Sequence, residues 1–165
     1  MNRSLLNFDQ LYDQYHTDVF RFSYWLSGNR EDAKDICSET FIRLWTAKTD
    51  IKVDTVKAYL FAIARNIYLQ GLRKHRTQVE LDDEIADERP NSDVIAQDQS
   101  ELSLVIKGLQ ALPELERTVL IMKAYEGLSY KDMSGLLHLS VPALKIKVHR
   151  ARVKLALANN KRESL

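Results

Sequence analysis

The sequence predicts an all-α protein: two small helical domains joined by a flexible acidic linker, the C-terminal one a helix-turn-helix. Three observations carry that prediction. Apolar residues recur at helical spacing along most of the 165 residues, which include only five Gly and three Pro. The periodicity fails from Thr77 to about Asp98, where LDDEIADERPNSD is acidic and interrupted by a proline. Finally, Ser140 to Leu157, SVPALKIKVHRARVKLAL, joins an apolar helical stripe to a dense basic face. These features divide the chain into residues 1–76, a linker over 77–100, and residues 101–165.

The first helix opens at Asn7, with Gln10 at capping-box spacing, and carries Phe8, Leu11, Tyr12, Tyr15, Val19, Phe22 and Leu26 along one stripe until Ser27-Gly28 stops it. The second starts after Asn29, with Glu31 and Asp32 at the positive end of its dipole. Ala33, Ile36, Cys37, Thr40, Phe41, Leu44 and Trp45 form its expected buried face. On its other face, Asp32, Asp35, Glu39 and Arg43 follow at intervals of three, four and four residues. Two readings of that face stand side by side: a solvated charged surface, or an acidic stripe that docks a partner's basic helix.

Thr46 to Val53 shows no helical stripe and reads as a loop ended by Asp54 as N-cap. The third helix, VKAYLFAIARNIYLQGLRKHR, turns Val56, Leu60, Ile63, Ala64 and Ile67 inward. Lys57, Phe61, Arg65, Tyr68 and Leu72 lie on an outward edge. Cations interleaved with flat rings suit single-stranded nucleic acid, whose phosphates and unpaired bases they engage. Core aromatics and a cationic helix end explain the same pattern, so both readings remain.

After the linker, Leu102, Val105, Ile106 and Leu109 mark a helix ending before Pro113. Pro113 sets the next, PELERTVLIMKAYEG, with Glu114 and Glu116 in its first turn and Gly127 as its stop. Ser129 caps a short helix, Tyr130 to Leu137, and the tight turn His138-Leu139 leads to Ser140 as the next N-cap. In the last helix Leu144, Val148, Ala151 and Leu155 form the stripe, and Lys145, Lys147, Arg150, Arg152 and Lys154 the basic face. Pro142 is tolerated in the first turn, where its missing N–H has no helical partner to lose. The geometry presents this helix to a polyanion.

Charge and composition narrow the function classes. The formal net charge of +1 hides an asymmetry: nine acids and one base lie between Glu80 and Glu101, but eleven bases and five acids follow Glu101. The single cysteine, Cys37, excludes an internal disulfide and reads as a packing residue. Scattered histidines supply no metal-ligand spacing, and no phosphate loop or nucleophile–base set is present, so neither a metal, a cofactor nor an enzyme is expected. No apolar run reaches the ~20 residues needed to cross a bilayer, and MNRSLLNFDQ has no signal-peptide core. A cytoplasmic protein without direct membrane insertion is the expectation.

Three blocks in order, NREDAKDICSETFIRLW (29–45), AYLFAIARNIYLQGLRKHR (58–76) and LPELERTVLIMKAYEGLSYKDMSGLLHLSVPALKIKVHRARVKL (112–155), resemble the extracytoplasmic-function (ECF) group of bacterial sigma factors. That resemblance implies a transcription initiation factor. Asp32, Asp35, Glu39 and Arg43 would dock on the clamp helices of the large subunit of core RNA polymerase. The loop from Thr46 and the helix from Ala58 would capture a flipped base of the promoter −10 element, with Lys57, Tyr59, Phe61, Arg65, Asn66 and Tyr68 as strand-binding candidates. The linker would thread toward the active centre and RNA exit path, its acids standing in for RNA charge.

The resemblance also places the last helix in the major groove of −35 promoter DNA. Ser140, Pro142, Ala143, Lys145, Ile146, Lys147 and Arg150 are the candidates there. Arg152 and Lys154 lie too far round or along the helix for base contact. Family habit further implies an anti-sigma factor as a partner. The chain departs from the family pattern at His138, where Gly is frequent, and at Ala143 and Ile146, where Thr and Ser are frequent. It departs also at Cys37-Ser38, in place of Val-Gln. His tolerates positive φ, and an apolar side chain can meet a thymine methyl. The alternative reading is a stand-alone helix-turn-helix regulator that binds duplex DNA without polymerase.

Overall fold

Capping chemistry sets most helix starts in the computed structural model, which describes residues 7–47, 56–81 and 100–163. Helix α1 (Phe8–Ser27) opens on a reciprocal capping box: Asn7 Oδ1 accepts from the Asp9 N–H (3.2 Å) and Gln10 Oε1 from the Asn7 N–H (3.2 Å). It stops at Gly28, whose φ of 73° places it in the left-handed region. Helix α2 (Arg30–Thr46) starts where Asn29 Oδ1 accepts from the Asp32 N–H at 3.0 Å. Helix α3 spans Val56–Leu81.

In the second half, Ser100 caps α4 (Glu101–Gln110), and α5 (Glu114–Leu120) follows Pro113. Helix α5 then widens into a single π turn, Ile121–Tyr125, closed by the Glu126 N–H donating to the Ile121 carbonyl at 3.0 Å. Helix α6 (Tyr130–Leu137) starts at Ser129, whose Oγ accepts from the Asp132 N–H. His138 takes φ 55° and ψ 39°, and the Ser134 hydroxyl donates to the Leu139 carbonyl across the turn. Helix α7 (Val141–Glu163) is capped by Ser140, whose Oγ accepts from the Ala143 N–H at 3.2 Å. No strand occurs among the described residues.

Helices α1, α2 and α3 bury Val19, Phe22, Leu26, Ala33, Ile36, Phe41, Leu44, Leu60 and Ala64 against one another. Helices α5, α6 and α7 do the same with Val119, Leu120, Met133, Leu144, Val148 and Ala151. Each large apolar side chain withdrawn from water contributes about 1.5–3 kcal/mol before chain entropy is set against it. The two sets are not separate. Helix α1 rests on α4, α5 and the π turn, α3 rests on α6, and one continuous core runs through both halves.

Several expectations change. Helix α3 continues to Leu81 rather than ending at Arg76, because neither Gly nor Pro interrupts it after Gly71. Helix α2 includes Thr46, which was expected in the loop, because the Thr46 hydroxyl bonds back to the Ile42 and Arg43 carbonyls. The remainder of that loop, with the Asp54 cap, and the acidic run over 82–99 lie outside the described residues. Trp45, expected in the core, is 69% exposed: it sits at the rim, edge-on to Phe8, beyond the last turn that α1 covers. Leu102 is likewise exposed, at the first turn of α4.

The largest correction is Phe61. Expected on the outward edge of α3, it is 0% exposed and stacks on Phe22 with ring centroids 4.4 Å apart. The space beside α3 that periodicity assigned to solvent is filled by α1, so Phe61 is a core residue and no longer a base-stacking candidate.

Candidate nucleic-acid interface

The acidic face of α2 keeps Asp32 and Asp35 exposed and Glu39 half-buried, beside the exposed side chains of Ile42 and Trp45. Arg43 is engaged internally: its Nε donates to Glu39 Oε1 at 3.2 Å and its Nη2 to Gln70 Oε1 at 2.9 Å. Desolvation, with repulsion from Asp35, pushes the Asp32 carboxyl above its ordinary range, against a smaller opposing effect of His75. The sequence assigned the charged members of this surface. It missed the apolar extension, Ile42 and Trp45, although Ile42 lies seven residues beyond Asp35 on the same side of the helix. Behind the face, Cys37 donates its thiol to the His16 carbonyl, and burial pushes its pKa up to about 11, consistent with a packing role.

Along α3, the candidate cations Lys57 and Arg65 each face a carboxylate of the other half of the chain, and Lys57 also faces Asp18 of its own half. Lys57 Nζ lies 3.2 Å from Glu126 Oε2 and 3.9 Å from Asp18 Oδ2. Arg65 forms a two-pronged pair with Glu114, Nε to Oε1 at 2.9 Å and Nη2 to Oε2 at 3.0 Å. Tyr68 Oη accepts from Arg117 Nη1 at 2.9 Å. Tyr59 is half-buried against the core, and Asn66 is exposed.

Four residues that shape this face escaped the sequence reading: Arg21, Glu114, Arg117 and Glu126. Glu126 carries the most information, since its side chain is 0% exposed. It accepts from Arg21 Nε and Nη2, both at 2.8 Å, and this contact raises the Arg21 guanidinium further above its already high range. Arg117 is buried with its guanidinium donating to the carbonyls of Leu26, Leu109 and Leu112 as well as to Tyr68. No buried side-chain nitrogen or oxygen among the described residues lacks a partner. An i+3 or i+4 scan finds none of the pairs that join the two halves, which lie 49 to 105 positions apart.

Helix α7 presents a different surface. Its stripe of Leu144, Val148 and Ala151 is buried with Leu155 half-buried, so the remaining positions are forced outward. Ser140, Pro142, Lys145 and Arg150 are exposed, Ala143 and Lys147 are half-buried, and Ile146 is 52% exposed. Lys145 leans over the Tyr130 ring, 5.7 Å from its centroid. Lys154 instead pairs with Glu116 at 2.7 Å. The structure thus brings Ser140, Pro142, Ala143, Lys145, Ile146, Lys147 and Arg150 together on the first three turns of one helix. The helix start and its cations can meet phosphates, and Ala143 and Ile146 can offer only apolar contact.

Two family models match the chain in order. Residues 11–78 match the family model for sigma-70 region 2, and residues 103–155 that for sigma-70 region 4. The chain is 30% identical over 158 residues to the ECF RNA polymerase sigma factor SigM of Bacillus subtilis, spanning 94% of this chain and 97% of SigM. It is 29% identical over 155 residues to the ECF RNA polymerase sigma factor SigE of Mycolicibacterium smegmatis, spanning 90% of this chain but 60% of SigE. In fold it is similar to the sigma factor RpoE from Bartonella quintana, solved in complex with the anti-sigma factor NepR. That likeness has a TM-score of 0.73 and 24% identity, over 90% of this chain and 93% of RpoE.

Proposed function

Starting from the family to which this chain belongs, the ECF group of the sigma-70 family, we propose that it binds core RNA polymerase and directs transcription initiation at promoters read in two parts. The observation that carries the reading is that a single chain holds both sigma regions in order, with an acidic α2 face and a basic α7 face turned to solvent. A stand-alone regulator is not favoured, because its first half would sense a ligand or dimerise, whereas residues 11–78 match region 2.

In this reading Asp32, Asp35 and Glu39 meet the basic clamp helices of the large polymerase subunit, and Arg43 holds Glu39 in place. Lys57, Tyr59, Arg65, Asn66 and Tyr68 engage the separated −10 strand. Helix α7 enters the major groove of the −35 element, with Ser140, Lys145, Lys147 and Arg150 on phosphates or base edges, and Ala143 and Ile146 on thymine methyls. The division of residues into 1–76, a linker and 101–165 separates the two readers. The factor acts in the cytoplasm without catalysis of its own, and an anti-sigma factor holds it from polymerase. Among the described residues no helix is long and apolar enough to cross a membrane.

The test is a gel shift with run-off transcription on a promoter library, with and without core polymerase. Promoter-specific binding should require core, and robust specific binding by the protein alone, unchanged by core, would sink the proposal. The double variant Asp35→Lys with Glu39→Lys should lose co-purification with core while retaining its helical circular dichroism.

A further inference from the structure

Helix α7 is apolar on two sides. Its inner stripe, Leu144, Val148, Ala151 and Leu155, is packed into the core, yet Ile146, Val153 and Leu157 are 52%, 43% and 57% exposed. Single apolar side chains at a surface need no explanation, but these three fall at i, i+7 and i+11, along one line of the helix turned away from the core. Arg150 and Asn160, both exposed, complete the line at i+4 and i+14. Alternating steps of four and three residues are the a/d repeat of a coiled coil, with Ile146, Val153 and Asn160 at d and Arg150 and Leu157 at a. The same register places Lys147, Lys154 and Lys161 at successive e positions, a lysine row along one flank.

DNA accounts for only the first part of this line. Ile146 and Arg150 stand on the turns proposed to enter the −35 groove, whereas Val153 and Leu157 lie about 10 and about 17 Å further along the axis than Ile146. Beyond the groove a duplex offers phosphates, which reward neither side chain.

Charge and shape select among the other occupants. Helix α7 carries four Lys and three Arg against one acid, Glu163. A second copy laid antiparallel would set the lysine row against itself, and a parallel one would place Arg150 against Arg150 inside the seam, so like charges would meet as water is expelled. An anionic lipid surface matches the charge, but a helix lying in a membrane interface needs a broad apolar face, and this line is one residue wide and broken by Arg150 and Asn160. What fits is a helix of another protein, with its own a/d line of apolar residues, a carboxylate opposite Arg150, and Asp or Glu facing the lysine row. Lys154 already has Glu116 as a partner at 2.7 Å, so the charge preference rests on Arg150, Lys147 and Lys161. Two heptads suffice because α7 is already helical, held by its inner stripe and the Ser140 cap, and only the partner has to be ordered.

We propose that the outward line of α7, from Ile146 to Asn160, is a docking seam for an acidic amphipathic helix of a partner protein. Resting on the −35 reading above, this helix and the −35 duplex exclude each other, because both use Ile146 and Arg150.

The probe is a synthetic helix of about three heptads with Leu at a and d, one Asp placed opposite Arg150, and Glu on both flanks; its control carries Lys in place of every acid. Binding of the labelled peptide to the full chain is read by fluorescence anisotropy. The acidic peptide should bind about tenfold more tightly than the basic one, and Val153→Ser with Leu157→Gln, which leaves the charge unchanged, should weaken it about tenfold. That double variant should transcribe at the wild-type level in holoenzyme without peptide. Lys161→Glu, at an exposed position outside the proposed DNA contacts, should weaken the acidic peptide and strengthen the basic one. Equal binding of the two peptides, or of wild type and the double variant, overturns the seam. Binding to phosphatidylglycerol vesicles that the double variant abolishes overturns it in favour of a lipid surface, and a concentration-dependent dimer that the double variant dissolves does so in favour of a second copy. Saturating acidic peptide should also stop run-off transcription from a −35-dependent promoter by wild-type holoenzyme; undiminished transcription overturns the mutual exclusion. Failure of the −35 reading shows separately, as transcription without peptide that ignores the −35 sequence, whereas peptide binding involves no promoter.

Discussion

Helices α3 and α7 both carry basic residues beside an apolar stripe, yet the fold treats them oppositely. Of the α7 cations proposed for DNA contact, Lys145 and Arg150 are exposed and Lys147 is half-buried, and among the described residues of this helix it is Lys154, further along, that pairs with a carboxylate. On α3, Lys57 and Arg65 meet Glu126 and Glu114, and Tyr68 meets Arg117. Amphipathic patterning therefore says which side of a helix is charged, but not whether a complementary charge arrives from 49 or 69 residues away. The surface proposed to read duplex DNA is open in this structure, and the one proposed to read the strand is covered.

The largest test of that contrast is Arg117→Ala. It removes the buried cation that ties Leu26 and Tyr68 to α5 and takes one donor from each of three carbonyls, so it should cost about 3 kcal/mol in urea unfolding. Stability within a few tenths of wild type would mean that the cover over α3 is not fastened there. A smaller change, Phe61→Leu, sharpens what lies beneath the cover. As a core substitution it should cost about 1 kcal/mol, while folded holoenzyme melts promoters at the wild-type rate. Slowed melting at unchanged stability would return Phe61 to the reading face. The smallest effect is expected on the uncovered helix, where Lys147→Ala should lower the salt slope of −35 duplex binding by holoenzyme by about 0.9. An unchanged slope would show that Lys147 touches no phosphate.

How much of this was legible in the sequence follows from the range of the forces involved. Asn7, Asn29, Ser100, Ser129 and Ser140 act on backbone groups within a few residues, so their caps and the helix starts they set are local chemistry. The left-handed turn at His138 belongs with them, as does the Leu144–Val148–Ala151 stripe that turns Lys145 and Arg150 outward. The three matching blocks made the family visible for the same reason, since each is a contiguous run.

What the chain could not announce locally depends on which elements meet. Phe61 and Trp45 exchanged places with expectation because their burial is decided by where α1 lies, not by their own helix period. Glu114 read only as a residue of the first turn of its helix, and Glu126 drew no attention before Gly127. Both gained their role only when α1 and α3 packed against α5 and the π turn. By itself, then, the sequence determined the helices, their order, the family and the charged faces, because these rest on spacing within one element. Only the tertiary structure decided which charged face is free and which is covered, because an ion pair between distant segments forms where packing brings them together.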